Sequence, residues 1–263
     1  MDLNLNGKNA LVCGASRGIG KGAAIQLASL GANVTLVSRS ADKMSDVIKE
    51  MNMDIDKGQD HDFLVADFRD PNDLRKKVKG LILKRPYHIL INNTGGPAAG
   101  PILEAQNESF ELAFQQHLIC NHTLVQLLKK GMIRAGYGRI INIISTSVKA
   151  PLDNLGVSNT IRGAVASWAK TMANELGQYS ITVNNILPGF TDTERLRELF
   201  GSQAEKEGIT YSDMVETLKL SIPVGRLADA KEIGSAIAFL SSPAASYING
   251  INLPVDGGRT RSL

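Results

Sequence analysis

The stretch NALVCGASRGIGKGAA, residues 9–24, decides the fold. NALVCGA, residues 9–15, reads as a short apolar run of the kind that forms a buried strand, and the residues from Gly20 onward carry a helical pattern. At the junction stands Gly14-Ala15-Ser16-Arg17-Gly18-Ile19-Gly20. Strand, glycine turn and helix in that order let backbone approach a pyrophosphate, with free N–H groups of the helix N-terminus to hold it. The spacing G-x-x-x-G-x-G is one residue looser than the commonest dinucleotide fingerprint, so the context carries much of the signal.

The same alternation continues outward. Residues 20–32 read as a helix stopped at Gly31, residues 33–39 as a strand, 41–56 as a helix and 62–67 as a strand. Asp70-Pro71 opens a further helix, with proline tolerated in its first turn. Residues 88–96 form the next strand, 107–135 one long helix ending near Gly136, and 138–145 a fifth strand. A helix over 155–178, a strand over 180–189, helices near 192–220 and 229–241, and a last strand within 251–258 complete the chain. Strands alternating with helices imply crossover connections and a parallel sheet, and strands apolar on both faces imply helices on both sides. The expectation is an α/β, doubly wound Rossmann fold in a single domain, 1–263, with ligands bound outside the carboxyl ends of the strands.

Bulk properties narrow the function. The 263 residues carry 29 basic and 26 acidic side chains, a net charge of +3, which does not favour nucleic acid or an anionic membrane as partner. No apolar run reaches membrane-spanning length, and the N-terminal residues lack a signal-peptide pattern. Two isolated cysteines, Cys13 and Cys120, make neither a disulfide framework nor a metal site. A cytoplasmic protein acting on a small molecule, without a metal, is expected.

The second strand ends in Ser38-Arg39 rather than in an acid. An acid there would bind a ribose 2′-hydroxyl and repel a 2′-phosphate. Arg39 and Arg17 suit a phosphate instead, which points to NADP(H), although both arginines also suit plain solvent exposure. Asp67, ending the third strand, fits either an adenine amino group or a helix cap.

With these features the chain resembles the short-chain dehydrogenase/reductase family, in its 3-oxoacyl-carrier-protein reductase-like branch. The resemblance rests on CGASRGIG (13–20), ADF (66–68), INNTGG (91–96), GRIINIIS (138–145), VNNILPGF (183–190), residues 222–242 and YINGINLPVDGG (247–258). It implies a seven-stranded, mostly parallel sheet, a nicotinamide cofactor and a homotetramer or homodimer. It implies that Gly14, Gly18 and Gly20 hold the pyrophosphate and that Asn92 lies beside the adenosine ribose. Pro188, Gly189, Thr191 and Thr193 would cradle the nicotinamide carboxamide, and residues 192–222 would form a substrate lid. Ser16, Arg17, Ile19, Ser38, Arg39, Asp67, Phe68, Asn93, Gly95 and Arg162 complete the expected cofactor lining.

The active site is where the chain departs from that family. The family uses an asparagine, a serine, a tyrosine and a lysine. The serine at the end of the fifth strand is present as Ser145. The tyrosine position, thirteen residues on, holds Ser158, and the lysine position four further holds Arg162. The asparagine position in the long helix holds His117. Tyr137 and Tyr179 lie on either side of the region and neither replaces Ser158.

A serine hydroxyl is a far weaker acid than a phenol and has a shorter reach. Arg162, one helical turn from Ser158, retains a cation that can face an oxyanion, but arginine is a poor proton shuttle. His117 is the one member of the set expected to titrate near neutrality, unless it simply packs in its helix. Lys149 either enters the pocket or faces solvent. Three readings stay open: carbonyl reduction with a water or His117 as acid; hydride addition to a C=C conjugated to a carbonyl; and a non-catalytic NADP(H)-binding protein. Leu196, Leu199, Phe200 and Met214 in the lid hint at an apolar ligand.

Overall fold

The strands β1 (Asn9–Cys13), β2 (Asn33–Ser38), β3 (Asp62–Val65), β4 (Ile89–Asn92), β5 (Gly138–Ile143), β6 (Ile181–Pro188) and β7 (Asn252–Val255) form one sheet in the order β3-β2-β1-β4-β5-β6-β7. The computed structural model describes residues 1–52 and 58–262. Every adjacent pair is parallel. The strand order reverses between β1 and β4, which opens a crevice at their carboxyl ends, the ordinary ligand position in such sheets. Residues 53–56 of the expected second helix lie outside the described residues.

Helices cover both faces. The helices α1 (Gly18–Ser29), α2 (Ala41–Asn52), α3 (Pro71–Lys84), α4 (Asn107–Phe114), α5 (Cys120–Ala135), α6 (Gly156–Leu176), α7 (Glu194–Glu207), α8 (Tyr211–Leu220) and α9 (Ala230–Ser241) follow in chain order. One face packs Leu27, Leu36, Met44, Ile141 and Ile237 into a core, and the other packs Leu74, Val78, Leu90, Leu124, Leu128 and Val183. Among the described residues no helix is long and apolar enough to cross a membrane.

The local signals read in the sequence have physical counterparts. Asp70 caps α3 by accepting from the N–H groups of Asn72 and Asp73, ahead of Pro71. Gly31 and Gly136 both take positive φ, +100° and +57°, at the ends of α1 and α5. Within the expected lid segment 192–222, Thr193 caps α7, and Thr210 with Asp213 forms a capping box on α8.

The expected helix over 107–135 runs without interruption, but its middle, Gln115–Ile119, is a π turn between α4 and α5. The turn shifts the phase of the buried face. Ala113 of α4 packs with Val157 and Ile161 of α6, whereas Cys120, Leu124 and Leu128 of α5 face the sheet. His117 sits in the π turn, 2% exposed.

A ladder of asparagines crosses the sheet. Asn92, Asn142, Asn185 and Asn252 stand in register on β4, β5, β6 and β7. Asn92 Nδ2 donates to Asn142 Oδ1 at 2.8 Å, Asn142 Nδ2 to Asn185 Oδ1 at 2.8 Å, and Asn185 Nδ2 to Asn252 Oδ1 at 2.7 Å. Buried polar groups so linked fix strand register, because a slip by one residue breaks the ladder.

Candidate active site

The glycine loop is built for close approach. Gly14 has φ +60°, and a Cβ on Gly20 would lie 2.2 Å from the Gly14 carbonyl oxygen. The loop therefore folds on itself at the N-terminus of α1, whose cap residue Arg17 makes no side-chain cap hydrogen bond and whose first turn holds no acid. Free N–H groups, a favourable helix dipole and no competing carboxylate in that turn suit an anion. Asn93 Nδ2 donates to the Gly14 carbonyl at 3.3 Å and ties the end of β4 to the loop. Ser38 Oγ donates to Ser16 Oγ at 2.9 Å across the ends of β2 and β1. Ile19 packs against the core beneath, and the methyl side of Thr193 lies 3.3 Å from where a Gly18 Cβ would stand.

Three expected cofactor-lining residues are placed otherwise. Asn92 is 1% exposed and committed to the asparagine ladder, so its side chain does not reach a ribose. Asn93 is the asparagine that faces the glycine loop. Phe68 is 7% exposed with its ring in the core, which leaves only its backbone at the strand end. Asp67 neither caps α3, a role Asp70 takes, nor stands free: it accepts from the Arg69 guanidinium at 2.7 Å and from the Arg69 N–H at 3.0 Å. That pairing holds the Asp67 carboxyl below its ordinary pKa.

Arg17 and Arg39 occupy the position expected of phosphate-binding groups but in different states. Arg39 is exposed at the end of β2. Arg17 reaches across to α7, where its guanidinium pairs with Glu194 and lies 3.3 Å from Glu198. Lys43 joins the same carboxylate of Glu194 at 3.8 Å. A cavity of about 350 Å³ beside these groups is bounded by the glycine loop, the start of α7 and the start of α9. No signal in the sequence tied the acids of α7 to the glycine loop. The tertiary approach of α7 to the glycine loop supplies that pairing.

The chemical end of the crevice gathers the substituted positions. Ser145 follows β5 in extended backbone and caps the 3₁₀ turn Thr146–Val148. Its Oγ accepts from the Ser147 N–H at 3.1 Å, leaving its own proton to donate. Ser158 lies half-buried on the first turn of α6, and Arg162 lies one turn further along the same helix.

Arg162 is 9% exposed and donates from Nη1 to the Ile143 carbonyl at 2.9 Å. Its Nη2 lies 3.8 Å from the point a Gly96 Cβ would occupy. Among the described residues no carboxylate pairs with it, and burial alone pulls its pKa down to about 10. At neutral pH it remains a cation, held at a cost in desolvation.

His117 is drawn into the same cluster. Burial first, and then the neighbouring Arg162 charge, push its pKa well below 6.5, against the opposing effect of a backbone hydrogen bond with Gly95. The expectation that His117 titrates near neutrality therefore fails: two effects that only the fold supplies keep it neutral. Its Nε2 is buried without a hydrogen-bond partner. Lys149 lies exposed beyond Ser145.

At the nicotinamide side expected from the sequence, the Thr191 hydroxyl donates to the Gly189 carbonyl at 3.1 Å, and Pro188 closes β6. Of the residues expected to form a lid, Leu196 and Met214 are buried and Phe200 meets Phe190 edge-on at 5.4 Å, so these side chains serve packing.

Comparison with known proteins adds to this geometry. The family model described as Enoyl-(Acyl carrier protein) reductase matches residues 14–260. The chain is 33% identical over 263 residues to the 3-oxoacyl-[acyl-carrier-protein] reductase FabG of Pseudomonas aeruginosa, covering 97% of this chain and 98% of that protein. Its fold is similar to that of the L-sorbose reductase of Gluconobacter frateurii, solved with NADPH and L-sorbose, at a TM-score of 0.93 and 27% identity with both chains fully covered. It is also similar to YwfH, an NADPH dependent reductase involved in bacilysin biosynthesis, at a TM-score of 0.89 and 27% identity over 97% of this chain and 99% of that one.

Proposed function

From the premise that the chain belongs to the short-chain dehydrogenase/reductase family, we propose that it is an NADP(H)-dependent reductase of a C=C bond conjugated to a carbonyl. The observation that carries this reading is Arg162: a buried cation without a carboxylate partner among the described residues, at the end of β5 beside the loop after β4.

The residues present fit the cofactor. The crowded cradle of Gly14 and Gly20, with the open N-terminus of α1, would hold a pyrophosphate. Arg39, and Arg17 once it leaves Glu194, would take the 2′-phosphate. Thr191, Thr193, Pro188 and Gly189 would line the nicotinamide end. When bound, NADPH supplies hydride.

Hydride added to the carbon remote from a conjugated carbonyl leaves an enolate, and a proton then adds to the neighbouring carbon. Stabilising that enolate requires positive charge and hydrogen-bond donors more than a strong positioned acid. Arg162 supplies a cation that stays protonated, and Ser145 supplies an O–H donor. Water protonates the carbon. His117, neutral and packed beside Arg162, positions the guanidinium rather than giving up a proton. Ser158 is too short and too weakly acidic to replace a phenol, and its small side chain leaves room for substrate.

The reading is tested by NADPH oxidation with matched acceptors. Purified protein is expected to oxidise NADPH with an α,β-unsaturated ketone and not with the corresponding saturated ketone. Turnover of the saturated ketone alone would favour carbonyl reduction, and NADPH binding without turnover of either would favour a non-catalytic binder. Assembly as a homodimer or homotetramer belongs to the same reading and is checked by light scattering on the eluting protein.

A further inference from the structure

A second cavity, of about 480 Å³, lies apart from the lining of the one that faces α1. Its walls come from three parts of the chain: the loop just after Ser145 (Thr146, Ala150, Leu152), the end of the lid (Leu220, Ser221, Pro223) and the C-terminal segment Gly258–Arg261. Its size falls within the ordinary range for small-molecule sites. Thr146 is the residue next to Ser145, so the cavity begins where the proposed chemistry ends.

The polarity of the lining is one-sided. Arg259 and Arg261 both line it, and no acidic side chain does. The acid nearest in sequence, Asp256, is spent on backbone, accepting from the Gly258 N–H at 3.0 Å and the Thr260 N–H at 2.8 Å. Among the described residues neither arginine has a carboxylate in ion-pair range.

Arg259 is also fixed in place. Its guanidinium stacks 4.3 Å from the centroid of Phe190, which meets Phe200 of the lid edge-on. The stacking presents the planar fork in one orientation. Its Nε–H is buried without a hydrogen-bond partner, and among the described residues no hydrogen bond or ion pair occupies its Nη groups. A planar fork with unoccupied donors, in a cavity of mixed polar and apolar lining without an acidic side chain among the described residues, matches a carboxylate in shape and sign.

We propose that this cavity seats a carboxylate carried by the substrate, held by Arg259 with Arg261 at its rim, so that the substrate is an unsaturated keto acid. The proposal rests on the reductase reading of the neighbouring site. It is tested with benzoylacrylate and its ethyl ester, which share the conjugated C=C and differ in the charge of one end. Binding is measured by calorimetry to the protein saturated with NADP+, where hydride transfer is absent, and turnover is measured separately with NADPH.

The acid is expected to bind the wild-type complex about tenfold or more tightly than the ester. Arg259→Gln is expected to remove that acid-over-ester preference, and Arg259→Lys to restore part of it. Equal binding of acid and ester to the wild type, failure of the acid to bind, or an unchanged preference in Arg259→Gln overturns the carboxylate site. If Arg259→Gln does not fold, the wild-type preference and its reduction in Arg261→Gln decide. The two readings fail separately: Arg259-dependent binding of the acid without reduction overturns the reductase and leaves the carboxylate site. Reduction of acid and ester with equal KM does the reverse.

Discussion

Arg162 Nη1 donates to the carbonyl oxygen of Ile143, 2.9 Å away, at the point where β5 ends two residues before Ser145. The bond anchors a buried guanidinium to the sheet. It satisfies one of five donors and offers no negative charge in return, so the remaining positive field faces the crevice.

That arrangement predicts opposite effects on stability and activity. Burial pulls the Arg162 pKa down to about 10, well below the ordinary guanidinium range, so the folded chain carries a charge at neutral pH that the unfolded chain carries more easily. Replacing it by Arg162→Met removes the desolvation cost while keeping apolar volume. The melting temperature is expected to stay level or rise by roughly 2–4 °C for each kcal/mol relieved, while enone turnover falls by about 10² or more. Arg162→Lys should fall between. Calorimetry and steady-state kinetics on the same preparations check this.

The pH profile should lack a limb near neutrality. His117 is held well below 6.5, so it does not switch in the ordinary assay range. Activity is expected to fall only as pH rises through about 10, where Arg162 loses its proton. A limb near pH 6.5 would identify His117 as the titrating acid. Stability follows the sign of the same shift. A base with a depressed folded pKa contributes stability above the unfolded value of 6.5 and loses it as pH falls below. Wild type should therefore lose more melting temperature than His117→Asn on going from pH 7 to roughly pH 5.

The pairing of Arg17 with Glu194 and Glu198 ties the start of α7 to the glycine loop. A 2′-phosphate must draw Arg17 away from those acids. Exposed pairs of this kind are screened and weak, so Glu194→Gln should tighten NADPH binding only modestly, by a few-fold at most. NADH binding should be unmoved. Fluorescence titration of both nucleotides reads the difference.

Gly20→Ala tests the cradle. The added methyl would stand 2.2 Å from the Gly14 carbonyl, so the loop must open. NADPH binding should be lost by titration, and the melting temperature should fall even without nucleotide. Retained binding would show that the loop does not hold the pyrophosphate.

Much of this architecture is legible in the sequence, because apolar runs and glycine turns are local. The strands, the glycine loop, the Asp70 cap and the Gly136 stop all depend on neighbours within a few residues. The misread features depend on partners far away in the chain. Asn92 reads as a ligand contact until its register with Asn142, Asn185 and Asn252 is known. The π turn at Gln115–Ile119 leaves helical periodicity nearly intact on either side, so it is invisible until its two faces are seen to bury differently. The charge state of His117 is set by burial and by Arg162, which stands 45 residues later. Arg259, in a tail after two glycines, gains meaning only from Phe190 and the cavity wall. The sequence signal that could have found it is the unpaired Arg259-Thr260-Arg261 run just past the last strand.

The central claim is hydride delivery to carbon rather than to a carbonyl. It is tested most directly with NADPH deuterated at the transferring position and benzoylacrylate or its ester as acceptor, with the product analysed by NMR. The account predicts one deuterium on the carbon remote from the aryl ketone and an intact ketone in the product. Deuterium on a carbinol carbon would contradict it.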